Sequence, residues 1–142
     1  MSRITFPATI AAAPEASQPL LQAVEKQLGS VPNLFRLASV SPTALQGYLG
    51  LSGALAKGRL PAATRERVAL AVAQENGCSY CLSAHSYLGK NLAKLDDAEI
   101  AANRAGRSTD AKADAAVQFA VKVLNARGRV ATEDLREVRD AG

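Results

Sequence analysis

The stretch 64–85 constrains the fold most, because it joins a strongly apolar helical segment to a Cys-x-x-Cys motif. Residues 68–72 are consecutively apolar, and a helix that is apolar on most of its faces is usually buried centrally. Gly77 breaks this helix, and a second helix is expected to run from near Cys78 to about Lys90. The motif should therefore lie where two central helices meet.

The composition favours an all-α fold. A chain of 142 residues fits one domain and buries about two-thirds of its unfolded surface on folding. Aromatic residues make up only 4% of the chain and tryptophan is absent, so Ala, Leu and Val must fill the core. Interiors rich in alanine allow helices to approach closely, which favours a helical bundle.

Residues 1–16 lack a sustained period and predict an N-terminal arm that lies on the domain or on a neighbouring subunit. Residues 17–142 are expected to form a single helical domain, with Ser17 capping the first helix and Ser108 or Thr109 capping the longest late helix. No segment has the alternation of a β-strand, and no internal repeat is present. Residues 31–34 are predicted to form a turn that leads into a short helical piece through Ala38. The other helices are predicted at about 17–28, 42–57, 61 or 62 to 74, 78 or 79 to 90, 95–106, 108 or 109 to 126, and from 132 onward.

Charge and hydropathy exclude two classes of partner. The net charge is +4, but the 17 basic residues are scattered among 13 acidic ones, which is typical of solvated helix faces and not of a nucleic-acid stripe. The apolar run 10–13 is too short for a secretory signal or a membrane span. We therefore expect a cytoplasmic protein that binds neither nucleic acid nor membrane, in a compartment where an exposed dithiol would cycle.

The two cysteines and the single histidine form the candidate site. Cys81 and His85 are four residues apart, so their side chains lie on one face of the second helix and the imidazole can take the thiol proton. Cys78 lies at or just before the start of that helix, where free N–H groups and the helix dipole favour a thiolate. Either cysteine could thus be activated, by different means.

Two carboxylates compete to orient the histidine. Glu66 lies on the preceding helix, and antiparallel packing of the two helices would bring it to His85 directly or through water. Glu75 is nearer in sequence but stands at a helix end, where solvent exposure is expected. We therefore predict that Glu66 is the orienting residue.

The three-residue spacing of Cys78 and Cys81 suits peroxide chemistry. A thiolate that attacks a peroxide oxygen becomes a sulfenic acid, and a second thiol within reach condenses with it to a disulfide. The pair supplies its own resolving partner, and the cycle needs no cofactor besides the redox-active Cys78–Cys81 disulfide.

With its cysteine pair, His85 and Glu66, the chain resembles the alkylhydroperoxidase-D-like branch of the carboxymuconolactone decarboxylase family, over roughly residues 17–128. The resemblance implies an all-α fold, a homotrimer or homohexamer, and a thiol peroxidase cycle with a Glu66, Cys78, Cys81 and His85 relay. It implies that Cys81 attacks and Cys78 resolves, and it argues against decarboxylase activity, because the decarboxylase branch lacks the cysteine pair. The resembling residues are Val31, Pro32, Asn33, Leu34, Phe35, Leu60, Pro61, Arg65, Glu66, Asn76, Gly77, Cys78, Tyr80, Cys81 and His85.

The sequence departs from this family at two places. Tyr80 stands where the founding peroxidase branch carries another histidine, which leaves one imidazole in the relay. Chains of this type usually continue past an Asp-Ala-Gly like 140–142 into a further apolar helix, so the C-terminal helix is expected to be short or missing.

Other readings of the motif predict different chemistry. Both cysteines, His85 and Glu66 could bind zinc, although structural zinc sites usually draw two ligand pairs from separated segments. A thioredoxin-type motif would follow a β-strand, and covalent haem needs a histidine where Leu82 stands. A redox-sensing or metal-binding stress-response module without turnover is therefore the alternative to an enzyme.

The sequence thus predicts an alkyl hydroperoxide or related peroxide as substrate, held in a small apolar pocket between the two central helices. A second dithiol, which the family resemblance suggests can be carried by a lipoyl-bearing protein, would reduce the disulfide. The sequence leaves open which peroxide and which reductant are used.

Overall fold

The computed structural model describes residues 4–142, which fold into α-helices joined by short loops and contain no β-strand. The predicted all-α class is confirmed. The chain divides into two compact units, one ending at Gly58 and the other beginning at Arg59. After a 3₁₀ helix at Glu15–Ser17, the described elements are α1 (Gln18–Leu28), α2 (Asn33–Ala38), α3 (Pro42–Ala56), α4 (Ala62–Glu75), α5 (Ser79–Asn91), α6 (Asp97–Arg104), α7 (Ala111–Asn125) and α8 (Thr132–Asp140).

The first unit packs α1, α2 and α3 around a small apolar core made of Ala13, Leu21, Val31 and Leu45. Ala13 belongs to the predicted N-terminal arm, so this part of the arm lies in the core of its own unit. Residues 1–3 of the arm lie outside the described residues.

Two serines near the starts of α1 and α3 have different roles. Ser41 caps α3 as its sequence position suggests, because its hydroxyl oxygen accepts a hydrogen bond from the Ala44 N–H at 3.4 Å. Ser17 was predicted to cap α1 in the same way, and that prediction is wrong. Its fully buried hydroxyl donates to the Ser39 carbonyl oxygen at 2.8 Å. Because the hydroxyl is directed into this tertiary contact, it makes no capping hydrogen bond with α1.

The second unit is organised around α4, which packs against α5, α6 and α7, while α8 packs on α7. This central position agrees with the apolar character of 68–72. Small and branched aliphatic side chains fill the interior, as the composition predicts. The buried apolar residues are Leu70, Ala71, Ala73, Leu95, Ala113 and Val117.

A tight connection at Gly77 joins α4 to α5. Gly77 has a φ of +62°, a left-handed conformation that glycine adopts without steric cost. The Cys78 N–H then donates to the Ala73 carbonyl at 3.0 Å, which closes the end of α4. The predicted meeting of two helices at Gly77 is confirmed, and it places the cysteine motif at the start of α5.

The N-cap of α7 is a different residue from the ones that were predicted. The Asp110 carboxylate accepts a hydrogen bond from the Ala113 N–H at 2.8 Å and is the N-cap. Ser108 and Thr109 were predicted for this role, but both hydroxyls donate instead to the buried carboxylate of Glu99. Both hydroxyls therefore satisfy the buried Glu99 carboxylate and do not cap the helix.

Over residues 4–142, none of the helices combines the length and the apolar character that crossing a bilayer requires.

Candidate functional site

The Cys-x-x-Cys motif forms the N-terminus of α5. Cys78 is the N-cap residue, with extended backbone angles, and its sulfur accepts a hydrogen bond from the Cys81 N–H at 3.2 Å. The two cysteines are joined in a disulfide, with their Cα atoms 5.3 Å apart. The motif therefore forms a short disulfide loop at the positive end of a helix dipole.

A carboxylate–imidazole pair links α4 to α5 next to this motif. Glu66 Oε2 lies 2.8 Å from His85 Nδ1, so the contact between them is direct and needs no bridging water. An ionised carboxylate only accepts hydrogen bonds, so the imidazole donates to it from Nδ1; the neutral imidazole in this arrangement has its lone pair on Nε2, where it can take a proton. The side chains of His85 and Glu66 are 33% and 21% exposed, which leaves the pair accessible from solvent.

Cys81 and His85 lie on α5 with one helical turn between them, so their side chains share a face of this helix. The structure thereby brings together a sulfur pair, an imidazole and a carboxylate, on two helices that pack against each other. Such a set can remove a proton from a thiol, hold the proton on the imidazole and return it to a leaving group.

Three further residues that the sequence singled out lie on the same two helices. Glu75 is exposed at the end of α4, as predicted from its position at a helix end. Tyr80 is 46% exposed in the first turn of α5. Arg65, which precedes Glu66, donates from Nη1 to the Leu60 carbonyl at 2.7 Å, at the start of α4.

Zinc was the alternative chemistry for the cysteines. Within residues 4–142, no three or more side chains of the His, Cys, Asp and Glu types are grouped so that they could hold a metal ion.

A second polar cluster, which was not predicted from the sequence, is centred on Glu99 of α6. This carboxylate is only 4% exposed and lies 2.6 Å from Arg67 Nε on α4. Asn103, four residues further along α6, also donates to it at 2.9 Å. The one sequence signal is the Glu99–Asn103 spacing, and the same spacing is common on solvated helix surfaces.

The hydrogen bonds of this cluster determine the charge of Glu99. Burial by itself raises the pKa of a carboxyl, but donors from Ser108, Thr109 and Asn103 outweigh burial and hold the pKa of Glu99 far below its ordinary value. Glu99 is thus ionised at neutral pH, with Arg67 as its counter-ion.

Fold and site together define an all-helical protein that carries a Cys-x-x-Cys disulfide at a helix start, beside a carboxylate–imidazole pair from two packed helices. Residues 42–126 match the sequence profile of the carboxymuconolactone decarboxylase family. The chain belongs to that family. Among curated proteins, none matches this chain.

Solved structures with the same fold include two bacterial proteins. One, from Ralstonia eutropha JMP134, is described as an alkylhydroperoxidase AhpD core and an uncharacterized peroxidase-related protein. It is 25% identical, with a TM-score of 0.85 over 99% of this chain and 76% of its own. The other, an uncharacterized peroxidase-related protein from Silicibacter sp. TM1040, is 22% identical, with a TM-score of 0.81 over 100% of this chain and 79% of its own. The predicted likeness to alkylhydroperoxidase-D-like proteins is thereby confirmed.

Proposed function

We propose that this protein is a thiol-dependent peroxidase that reduces alkyl hydroperoxides or related peroxides. The observation that carries the proposal is the 2.8 Å contact between Glu66 and His85, one helical turn from a cysteine that forms a disulfide with its neighbour in the motif. The peroxidase-related description of a structural relative gives further support.

In the oxidative half of the cycle the Cys81 thiol gives its proton to His85 Nε2, and Glu66 stabilises the resulting imidazolium. The Cys81 thiolate attacks one peroxide oxygen, the O–O bond breaks, and Cys81 becomes a sulfenic acid. The alkoxide that leaves takes the proton from the imidazolium and departs as an alcohol. His85 thus acts first as a base and then as an acid.

Cys78 resolves this intermediate. Its thiol sulfur attacks the Cys81 sulfur, the S–O bond breaks, and water leaves as the disulfide forms. A second dithiol, such as a lipoyl-bearing protein, then reduces the disulfide by two thiol–disulfide exchanges and is itself oxidised to a disulfide. The net reaction converts one hydroperoxide and one dithiol into one alcohol, one water and one disulfide.

The proposal includes a homotrimer or homohexamer in the cytoplasm. Exposed apolar side chains on α3 support self-association, since Leu51 is 63% exposed and Leu55 is 62% exposed. A cycling dithiol supports a reducing compartment. Sedimentation velocity would test the assembly, and a monomer at micromolar concentration would contradict it.

The function is tested by peroxide consumption in the presence of a soluble dithiol reductant. The Cys81→Ser variant should lose turnover, whereas Ser83→Ala, which changes an exposed serine of the same helix, should keep it. If the wild-type protein consumed peroxide no faster than Cys81→Ser, the enzyme proposal would fail. A disulfide that still cycled would then favour a redox sensor without turnover.

A further inference from the structure

Glu99 is a buried ionised group for which the proposed chemistry has no use. Its carboxylate accepts five hydrogen bonds, at distances between 2.5 and 2.9 Å. A buried carboxylate with this many donors is held in one orientation, and it holds its donors in return. The donors are Arg67 Nε, Asn103 Nδ2, Ser108 Oγ, Thr109 N and Thr109 Oγ1.

These donors come from three segments of the second unit. Arg67 lies on α4, Asn103 on α6, and Ser108 and Thr109 in the loop between α6 and α7. The Asn103 amide also donates to the Arg107 carbonyl at 2.9 Å, which ties the same loop back to α6. Glu99 therefore joins α4 to a rigid assembly of α6 and its following loop.

Arg67 directly follows Glu66 in α4. Successive residues of an α-helix point about 100° apart, so neighbours face different partners. Glu66 contacts His85 on α5, whereas Arg67 contacts Glu99 on α6. If the guanidinium is fixed on α6, the rotation of α4 about its axis is fixed as well, and with it the direction in which the Glu66 side chain leaves the helix.

Apolar packing and polar contacts both act on α4 one turn further along. Leu70 is fully buried, and a Cβ added at Gly89 of α5 would lie 3.9 Å from Leu70 Cδ1, so the two helices approach closely there. Gln74 accepts a hydrogen bond from Arg104 of α6 at 2.9 Å, but this contact is exposed. The Arg67–Glu99 pair, by contrast, is a buried ionic contact at the residue that directly follows Glu66.

We propose that Glu99 and Arg67 are positioning residues for the Glu66–His85 pair. They hold α4 at the rotation that places the Glu66 carboxylate on His85 Nδ1, and so they select the imidazole tautomer with its lone pair on Nε2. The importance of that tautomer for turnover rests on the proposed function, but the positioning itself does not require that any peroxide be reduced.

The chain has a single histidine, so NMR of its imidazole nitrogens can test the proposal without overlap from other residues. In untagged protein labelled with ¹⁵N, the imidazole signals belong to His85 alone, and the Nδ1 and Nε2 shifts report which nitrogen carries the hydrogen. Glu66→Gln gives the reference for an imidazole without its carboxylate. Arg107→Gln is the matched control, because Arg107 lies in the loop that follows α6 and its 64% exposed side chain pairs with Asp114 of α7.

Glu99→Gln and Arg67→Met should move the Nδ1 and Nε2 shifts most of the way toward those of Glu66→Gln, and Arg67→Lys should restore part of the wild-type shifts. Arg107→Gln should leave the shifts unchanged. If Glu99→Gln does not fold, Thr109→Val removes a single hydroxyl donor and should produce a smaller shift in the same direction. A folded Glu99→Gln, or failing that a folded Thr109→Val, with wild-type imidazole shifts would overturn the proposal.

The same variants separate this inference from the proposed function. Shifted imidazole signals in a protein whose wild type consumes no peroxide would support positioning while refuting the peroxidase. Wild-type signals in the variants of an active peroxidase would refute positioning while leaving the enzyme intact.

Discussion

Glu66 Oε2 on α4 lies 2.8 Å from His85 Nδ1 on α5, although the two residues are nineteen positions apart in the sequence. The contact joins the two helices that carry the candidate chemistry. It also gives the histidine a defined tautomer, with Nε2 free to accept a proton on the helix face that it shares with Cys81.

Replacing Glu66 by glutamine should slow the reaction of the Cys81 thiol. A neutral amide does not stabilise the imidazolium, so we expect the alkylation rate at neutral pH and the peroxidase rate to fall by about 10²-fold. Glu75→Gln is the matched control, since Glu75 is exposed on the same helix, and it should keep the wild-type rates. Equal rates in the two variants would remove Glu66 from the mechanism.

The two single-cysteine variants should differ in the intermediate that accumulates after peroxide treatment. In Cys78→Ser, peroxide should convert Cys81 into a sulfenic acid that persists, because the resolving thiol is gone. In Cys81→Ser, no sulfenic acid should accumulate at the remaining cysteine. Mass spectrometry after trapping with a sulfenic-acid reagent measures both, and a sulfenic acid only in Cys81→Ser would reverse the assigned roles.

Breaking the buried ion pair should destabilise the second unit. Arg67→Met leaves the Glu99 carboxylate buried without its counter-ion, and loss of one partner of such a pair costs about 3–5 kcal/mol of unfolding free energy. Arg107→Gln removes an exposed partner of Asp114 and should change stability little. Urea denaturation followed by circular dichroism compares the two, and similar midpoints would contradict the buried character of the Glu99 cluster.

The Glu99 carboxyl should also contribute to acid unfolding. Its pKa is lower in the folded state than in the unfolded chain, so its stabilisation is complete above the unfolded value of about 4.3 and is lost as the pH falls toward the folded pKa. In Glu99→Gln, stability should therefore fall less steeply with decreasing pH below about 4.3 than in the wild type. Asp97→Asn, at a carboxylate that is 81% exposed, should keep the wild-type slope.

Gly89 should tolerate no larger side chain, because α5 approaches Leu95 closely there. An added Cβ would lie 3.3 Å from Leu95 Cδ1 and 3.9 Å from Leu70 Cδ1. Gly89→Val should thus overpack this contact and cost about 1–3 kcal/mol. Gly53→Ala, in a helix where an added Cβ meets nothing within 4 Å, should instead stabilise by about 0.5–1 kcal/mol, and thermal unfolding would show opposite shifts.

The local features of the helices were predictable because they depend on neighbours in the chain. Gly77 and Ser41 act through backbone groups a few residues away, so their roles follow from position. Ser17 and Ser108 look equally suited to capping, yet each donates its hydroxyl to a partner distant in sequence. A local sequence pattern cannot show that an acceptor distant in sequence competes with the helix N-terminus for the same hydroxyl.

The sequence by itself determined the all-helical class, the break at Gly77 and the cysteine pair at the start of α5, because helix periodicity, glycine geometry and short spacings are properties of contiguous residues. Tertiary structure alone decided how far each carboxylate lies from its partner. The sequence singles out Glu66 but not its distance from His85, and it does not single out Glu99 at all. Packing of α4 against α5 and α6 brings Glu66 to the imidazole and buries Glu99 among five donors. Such contacts depend on how whole helices are rotated against each other, and that rotation depends on the apolar core and on buried polar contacts between residues distant in sequence.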